Sequence, residues 1–387
     1  MKRIYFDHNS TTPLDPRVLE AMMPYLSSTY GNASSVHSIG QFARAGLEQS
    51  REKLAALLGC RPDELYFTSG ATESDNIAIK GVADALAHKG RHIITTKTEH
   101  QAVLEPCKFL EKHDYEVTYL DVDGLGHVDT EQLRAAIRPD TILVSVIYVN
   151  NETGTLQNIG ALAQIAHEKN VYFHTDAVQA IGKMKVDLHT LGVEMGSGTA
   201  HKFYGPKGVG FLFAKVGTRF SPHIHGGAHE RGKRAGTENV PGVVGMARAL
   251  ELSMAELESN SAHVAKLADR LTSGILETIP ESRLHGDPKN GIQGTMFFTF
   301  PGADGEAIIL SLDMAGIAVS SGSACTSGAT EPSHVLLAMG VSAQEASSAI
   351  RFSLGKDNTI EEIDFAIATL PAIVERLRKM SPQYAGR

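Results

Sequence analysis

Lys202 lies in the run GSGTAHKFYGPKGVG (196–210), between His201 and the aromatic pair Phe203 and Tyr204. Gly205, Pro206 and Gly208 follow and favour turns, which predicts a short fixed corner for the lysine rather than a surface arm. A lysine held against apolar neighbours has a lowered pKa, and its neutral amine can form a Schiff base with a carbonyl. Ser69-Gly70-Ala71-Thr72 can open a helix and offer free N–H groups and hydroxyls to an anion, or can serve as a plain helix cap. Asp176 can hold the positive charge of a protonated ring nitrogen, or cap a helix. His100 can stack on a ring, or be a satisfied core histidine. Cys325 stands in SSGSACTSG (320–328), a loop composition with nothing to pack it, which predicts an exposed and usable thiol. Cys60 and Cys107 lie in apolar or helical patterns and read as structural.

The elements that must position these groups alternate. Helical spacing covers 16–25 and 44–58, with Leu47, Leu54, Leu57 and Leu58 on one face. Strand-like runs at 65–68, 92–96, 117–122, 141–149, 171–175, 193–198 and 208–214 are interleaved with helical stretches ending near 89, 113, 137 and 169. Strand alternating with helix implies right-handed crossovers and a mostly parallel sheet covered on both faces. Ser69 to Thr72, His100, Asn151, Asp176 and Lys202 each follow the carboxyl end of a strand, the edge where open α/β sheets bind ligands. Together they offer a phosphate cradle, an acid for a pyridinium, a stacking imidazole and a Schiff-base lysine. Those fittings suit pyridoxal phosphate, whose ring is an electron sink for carbanions.

From about residue 261 the pattern changes to helix 262–276, strand 295–300, helix 305–314, strand 317–319, helix 333–339, strand 350–353 and helix 360–379. This predicts two domains: a large one over 15–260, and a smaller α+β one built from 1–14 and 261–387 that carries the loop 320–330. A chain of 387 residues is long enough for both. A net charge of −8 without a basic run argues against nucleic acid, and no apolar run is long enough to span a membrane. The opening MKRIYFDHNS lacks the apolar stretch of a secretion signal, so a cytoplasmic protein is expected. His223, His225 and His229 have no acidic or cysteine partner at ligand spacing, so no metal is expected.

The motifs TSGATESDN (68–76), EH (99–100), NNETGT (150–155), HTDAVQAIGK (174–183), AHKFYGPKG (200–208), ERGKRAGTEN (230–239), SSGSACTSG (320–328) and RFSLG (351–355) closely resemble the class-I cysteine desulfurases, the NifS/IscS group of fold-type-I pyridoxal phosphate enzymes. The resemblance covers essentially the whole chain, and NNETGT and HTDAVQA lie nearer its nitrogen-fixation branch. It implies that Lys202 holds the cofactor, Asp176 pairs with the ring nitrogen, Gln179 contacts the ring oxygen, and His100 stacks on the ring and shuttles protons. Ala71, Thr72, Thr199 and His201 would bind the phosphate, joined by Thr237 from a second subunit of a homodimer. Asn151 and Arg351 would hold the carboxylate of L-cysteine. Cys325 would take the sulfur as a persulfide, leaving L-alanine, and pass it to an iron–sulfur scaffold or another acceptor protein. Another lyase or aminotransferase of this fold, or a non-catalytic sulfur-relay platform, are the alternative readings.

Five positions depart from the family pattern. Thr199 replaces a usual serine, and His8 and Ser10 fall where asparagine and alanine are commoner. Gly196 and Gly198 replace larger apolar residues, which predicts a strand weakened by lost packing.

Overall fold

The computed structural model describes residues 3–322, 331–381 and 384. The chain opens with β1 (Ile4–Tyr5) and the helices α1 (Pro16–Ser27) and α2 (Ser38–Leu57). The Asp15 carboxylate caps α1 by accepting the Arg17 N–H, and Pro16 supplies the pre-set φ of a first helical position. Strand and helix then alternate: β2 (Leu65–Thr68), α3 (Ala71–Leu86), β3 (His92–Thr96), α4 (Gln101–Glu111), β4 (Glu116–Leu120), α5 (Thr130–Ala136), β5 (Thr141–Ser145), α6 (Ile159–His167) and β6 (Tyr172–Asp176). Next come β7 (Met195–Thr199) and β8 (Gly210–Ala214).

These strands form one sheet in the order β2-β8-β7-β6-β5-β3-β4. The five strands from β7 to β4 run parallel, and β8 lies antiparallel between β7 and β2. Being antiparallel to β8, β2 points the same way as the parallel five, so its carboxyl end joins theirs on one edge. Side chains alternate between two buried faces. Ile94, Val144, Phe173, Phe211 and Phe213 pack on one side, and Ile93, Leu143, Met195 and Leu212 on the other. Burial on both faces is why the strands read as nearly continuous apolar runs. The ladder of β5 stops at Ser145, short of the expected 149. Val146 and Tyr148 still donate their N–H groups to the carbonyls of His174 and Asp176, which carries the chain along β6 to Asn151.

The weakened strand expected at Gly196 and Gly198 is not what forms. A Cβ at Gly198 would stand 2.5 Å from the Phe211 ring, and one at Gly196 would stand 3.2 Å from Leu188. The neighbours already fill that space, so β7 is packed by side chains leaning in from β8 and the 186–188 segment.

Further on, α7 (Val240–Ala255) and α8 (Leu257–Thr278) lead to β9 (Arg283–His285), β10 (Thr295–Thr299), α9 (Gly305–Met314), β11 (Ile317–Ala318), α10 (His334–Ala338), α11 (Ala343–Ala346), β12 (Ala349–Ser353) and α12 (Ile360–Met380). The sequence reading has nothing over α7 and resumes only at 262. An antiparallel sheet β12-β10-β9 forms, and β1 pairs in parallel with β11. A separate apolar cluster, including Ile4, Phe6, Leu271, Phe298, Phe300, Phe352 and Leu370, lies here, so the first residues pack with the last third of the chain.

Candidate active site

At the carboxyl edge of the large sheet, where it meets the β12 sheet, opens a cavity of about 690 Å³. Lys202 reaches it from a single 3-10 turn, Ala200–Lys202, immediately after β7. Its Nζ donates to the carbonyls of Asn9 at 2.6 Å and Ser10 at 2.8 Å. The same turn is stitched to the opening segment by the Thr12 N–H on the His201 carbonyl and by His201 Nδ1 lying 3.2 Å from Thr11 Oγ1.

Asp176 ends β6 and is 4% exposed, with Oδ1 accepting the Val178 N–H at 3.0 Å. Gln179, three residues on, donates Nε2 to the Asn9 carbonyl at 3.1 Å and accepts from Lys183 Nζ at 2.5 Å on Oε1. His100 is the N-cap of α4, and its Nδ1 accepts the Ala102 N–H at 3.1 Å, which assigns the proton of the neutral ring to Nε2. Asp176, Gln179 and His100 all line the cavity.

Ala71 and Thr72 line it from the first turn of α3, whose N-cap, Gly70, offers no side-chain cap bond. Thr199 and His201 lie beside them, with Thr199 Oγ1 only 3.7 Å from where a Cβ on Gly70 would be. Glu73, in the same first turn, is held by Arg234 at 2.8 Å and by Ser69, so its charge is compensated there.

Across the cavity, Arg351 on β12 is 2% exposed. Its Nη1 donates to the Asn151 carbonyl at 3.1 Å, and its Nη2 to Asp7 at 2.9 Å and to Ser10 Oγ at 2.8 Å. Its Nε has no partner among the described residues. Asn151 also lines the cavity, and its carbonyl accepts from both Arg351 and Asn9.

Burial sets the electrostatics. It lifts the Asp176 carboxyl to about 6, against the pull of the Val178 N–H and Lys202. Asp75, behind it, is pushed well above the usual carboxylate range by burial and by the charge of Asp176. Glu99 rises to about 8 by burial, although Thr96 Oγ1 and the Ile147 N–H donate to it. His100 falls to about 4 through burial and the charges of Lys202, His334 and Arg351. His201 also falls to about 4, through burial and Lys202. The site therefore holds neutral imidazoles beside a lysine and an arginine, an arrangement that favours an arriving anion.

Of the twelve assigned residues, ten line the cavity. Thr237 is exposed and does not line the cavity, and Cys325 lies outside the described residues. Gly322 and Glu331, on either side of 323–330, both line the cavity. Just beyond, Ser333 caps α10 and donates to the buried Glu152 carboxylate at 2.5 Å, and His334 Nε2 lies 2.9 Å from the Glu99 carbonyl. Of the other cysteines, burial pushes the Cys60 thiol up to about 12 and Cys107 higher still, which leaves both poor nucleophiles. His223 pairs with Lys80 and His229 with Glu238. Sequence reasoning passed over Asn9, Ser10, Asp75, Lys183 and His334. Nothing in the sequence around Asn9 signalled contact with Lys202, nearly two hundred positions away.

The family model for aminotransferase class-V matches residues 4–365. Cysteine desulfurase IscS of Dictyoglomus turgidum is 49% identical over 383 residues, covering 99% of this chain and 97% of the relative. Cysteine desulfurase IscS of Methanosarcina thermophila is 48% identical over 381 residues, covering 98% and 94%. A solved structure described as a NifS-like protein superposes with a TM-score of 0.92 at 42% identity, covering 97% of this chain and all of that one. This chain belongs to the aminotransferase class-V family and, within it, to the cysteine desulfurases.

Pyridoxal 5′-phosphate is the cofactor of that family, and the cavity fits it. Asp176 is a buried carboxylate lifted by desolvation, for which a protonated ring nitrogen would be a compensating charge. The uncapped first turn of α3, with Thr72, Thr199 and His201, makes an anion cradle at a helix N-terminus. Lys202 is within the same walls to hold the carbonyl.

Proposed function

We propose that this protein removes sulfur from L-cysteine, releases L-alanine and holds the sulfur as a persulfide on Cys325 for delivery to iron–sulfur cluster assembly. The observation that carries the reading is convergence: Lys202, Asp176, His100, Gln179, the α3 N-terminus and Arg351 share one cavity, and both described ends of the Cys325 segment border it.

The roles follow from position. Lys202 would hold the cofactor, and its amine, which rests on Asn9 and Ser10, takes the proton from the substrate Cα. Asp176 answers the ring nitrogen and Gln179 the ring oxygen. His100, neutral and carrying its proton on Nε2, would stack on the ring and move protons. Ala71, Thr72, Thr199 and His201 bind the phosphate together with Thr237 of a second subunit. Arg351 receives the substrate carboxylate beside Asn151, because a planar guanidinium meets a carboxylate with paired N–H donors. When bound, the cofactor supplies an electron sink for the charge left at the substrate Cα. The Cys325 thiolate attacks the substrate sulfur, the substrate C–S bond breaks as the S–S bond forms, and the carbon skeleton is reprotonated to alanine. One cysteine and one thiol thus give one alanine and one persulfide.

The division into a 15–260 domain and a smaller one of 1–14 with 261–387 is supported by the separation of the apolar cluster drawn from residues 18–250 from the one drawn from residues 4, 6 and 264–374. A homodimer is supported by the exposed apolar side chains of Leu19, Met23, Leu26, Tyr30, Val36, Ile39 and Phe42, gathered within 24 residues of sequence on α1, α2 and the loop between them. A cytoplasmic site of action is part of the same proposal; no helix among the described residues is long and apolar enough to cross a membrane.

Purified protein supplied with pyridoxal phosphate, L-cysteine and a reductant should release alanine and sulfide in equal amounts. Cysteine consumed without alanine would mean another lyase or a transaminase, and no consumption would refute catalysis.

A further inference from the structure

The network under Lys202 is tied off by a second lysine. Lys183 follows Gln179 by one helical-type spacing and is partly buried. Its Nζ donates to Gln179 Oε1 at 2.5 Å and to Asn9 Oδ1 at 2.8 Å. An amide presents two unlike ends, and which end faces a site depends on what holds the other. Were either amide turned over, its NH₂ group would face the Lys183 N–H groups, donor against donor.

We propose that Lys183 is a positioning residue: by claiming the amide oxygens of Gln179 and Asn9, it fixes which atoms those side chains leave for the cofactor and for the Lys202 amine. With Oε1 claimed, Gln179 has only N–H to offer elsewhere, and its Nε2 donates to the Asn9 carbonyl at 3.1 Å. With Oδ1 claimed, Asn9 turns Nδ2 onto the Asn151 carbonyl at 3.0 Å and Thr295 Oγ1 at 2.9 Å. Those bonds set the Asn9 backbone, whose carbonyl accepts the Lys202 amine at 2.6 Å. Lys183 thus reaches the reaction through two amides. Burial, Lys202 and Arg351 pull its pKa down to about 7. Both the ammonium and the neutral amine carry the two N–H bonds that these two oxygens need, so the orientation holds in either state.

The inference rests on the assignment of the cavity as the cofactor site, and the experiment separates the two. Pyridoxal phosphate is titrated into cofactor-free protein and followed by its absorbance, for the wild type, Lys183→Met, Lys183→Arg, Gln179→Ala and the Lys183→Met/Gln179→Ala double variant. Thermal melting of each cofactor-free protein is recorded alongside. Lys183→Met should weaken binding about tenfold and shift the bound absorbance band, while Lys183→Arg, which keeps two donors, recovers most of the affinity. The losses of Lys183→Met and Gln179→Ala should overlap rather than multiply, because one acts through the other. Wild-type affinity and spectrum in Lys183→Met, or losses that multiply, overturn the inference and leave the cofactor site standing. If Lys183→Met does not fold, Lys183→Leu, which likewise has no donor, takes its place under the same criteria. A wild type that takes up no pyridoxal phosphate overturns the site assignment and the inference together.

Discussion

Asp176 is held where its charged form costs free energy: burial lifts its carboxyl to about 6, against roughly 3.9 for a free side chain. A carboxyl whose folded pKa is raised favours folding fully only below the unfolded value, and that contribution is lost as pH rises from about 4 through about 6. Cofactor-free Asp176→Asn should therefore melt at least about 2 °C higher than wild type at pH 8, with the gap closing near pH 4, while its pyridoxal phosphate binding weakens. A lower melting temperature at pH 8 would contradict the account of this carboxylate. Lys202→Ala should lower alanine production by more than about a thousandfold, the scale of a lost proton-transfer group together with the lost attachment. An alanine assay that finds the variant within tenfold of wild type removes Lys202 from its role. Lys202, Asp176 and His100 were legible because polar residues at strand ends declare themselves in sequence. Asn9 and Lys183 were not. Their importance arises only when residue 9 is folded against 179 and 202, a contact that no local pattern encodes.

The elements hold these groups through a few non-interchangeable contacts. The segment 230–239, which carries Thr237, is anchored by Glu230. This buried carboxylate accepts from Arg51 Nη2 at 2.8 Å and Nη1 at 2.9 Å, and from the Phe67 N–H at 3.0 Å. Glu230→Ala leaves the buried Arg51 guanidinium with the Glu48 carboxylate, 3.1 Å away, as its remaining ion-pair partner and should cost about 3 kcal/mol in denaturant unfolding. A loss under about 1 kcal/mol would show that the pair anchors nothing. Gly198→Ala should cost roughly 1–3 kcal/mol by forcing a methyl against the Phe211 ring. The strands of the large sheet were readable because burial on both faces gives long β-branched and apolar runs. The glycines of β7 misled, because composition does not reveal that a ring from β8 fills their place. Helix α7 was missed for a related reason. Its VPGVVGMARALELSMA has little polar contrast and two glycines, and a Cβ at Gly245 would stand 2.6 Å from Met22 Sδ, so small residues there serve a close crossing with α1.

At the scale of the molecule, the cavity exists because the two sheets meet: Lys202 and Asp176 come from one, Arg351 from the other. The change of pattern near residue 261 announced the second sheet, and the pairing of β1 with β11 closes the chain's first residues onto its last third. Which side chains meet across the two sheets was not legible, since that depends on how the sheets dock. The exposed apolar stretch over α1 and α2 is the face assigned to the proposed pair. On the proposed dimer, Met23→Asp with Phe42→Asp should sediment as a monomer and bind pyridoxal phosphate more weakly, because the subunit proposed to supply Thr237 is withdrawn; a dimeric double variant would contradict the assignment of that face. The central claim is that sulfur leaves cysteine for Cys325. The most direct test is the intact mass of the pyridoxal-phosphate-loaded protein after L-cysteine, without reductant, followed by mapping of the modified peptide. The account predicts the added mass of sulfur on the peptide containing Cys325 and none in Cys325→Ala. Sulfur found on Cys60 or Cys107, or alanine formed at the wild-type rate by Cys325→Ala, would contradict it.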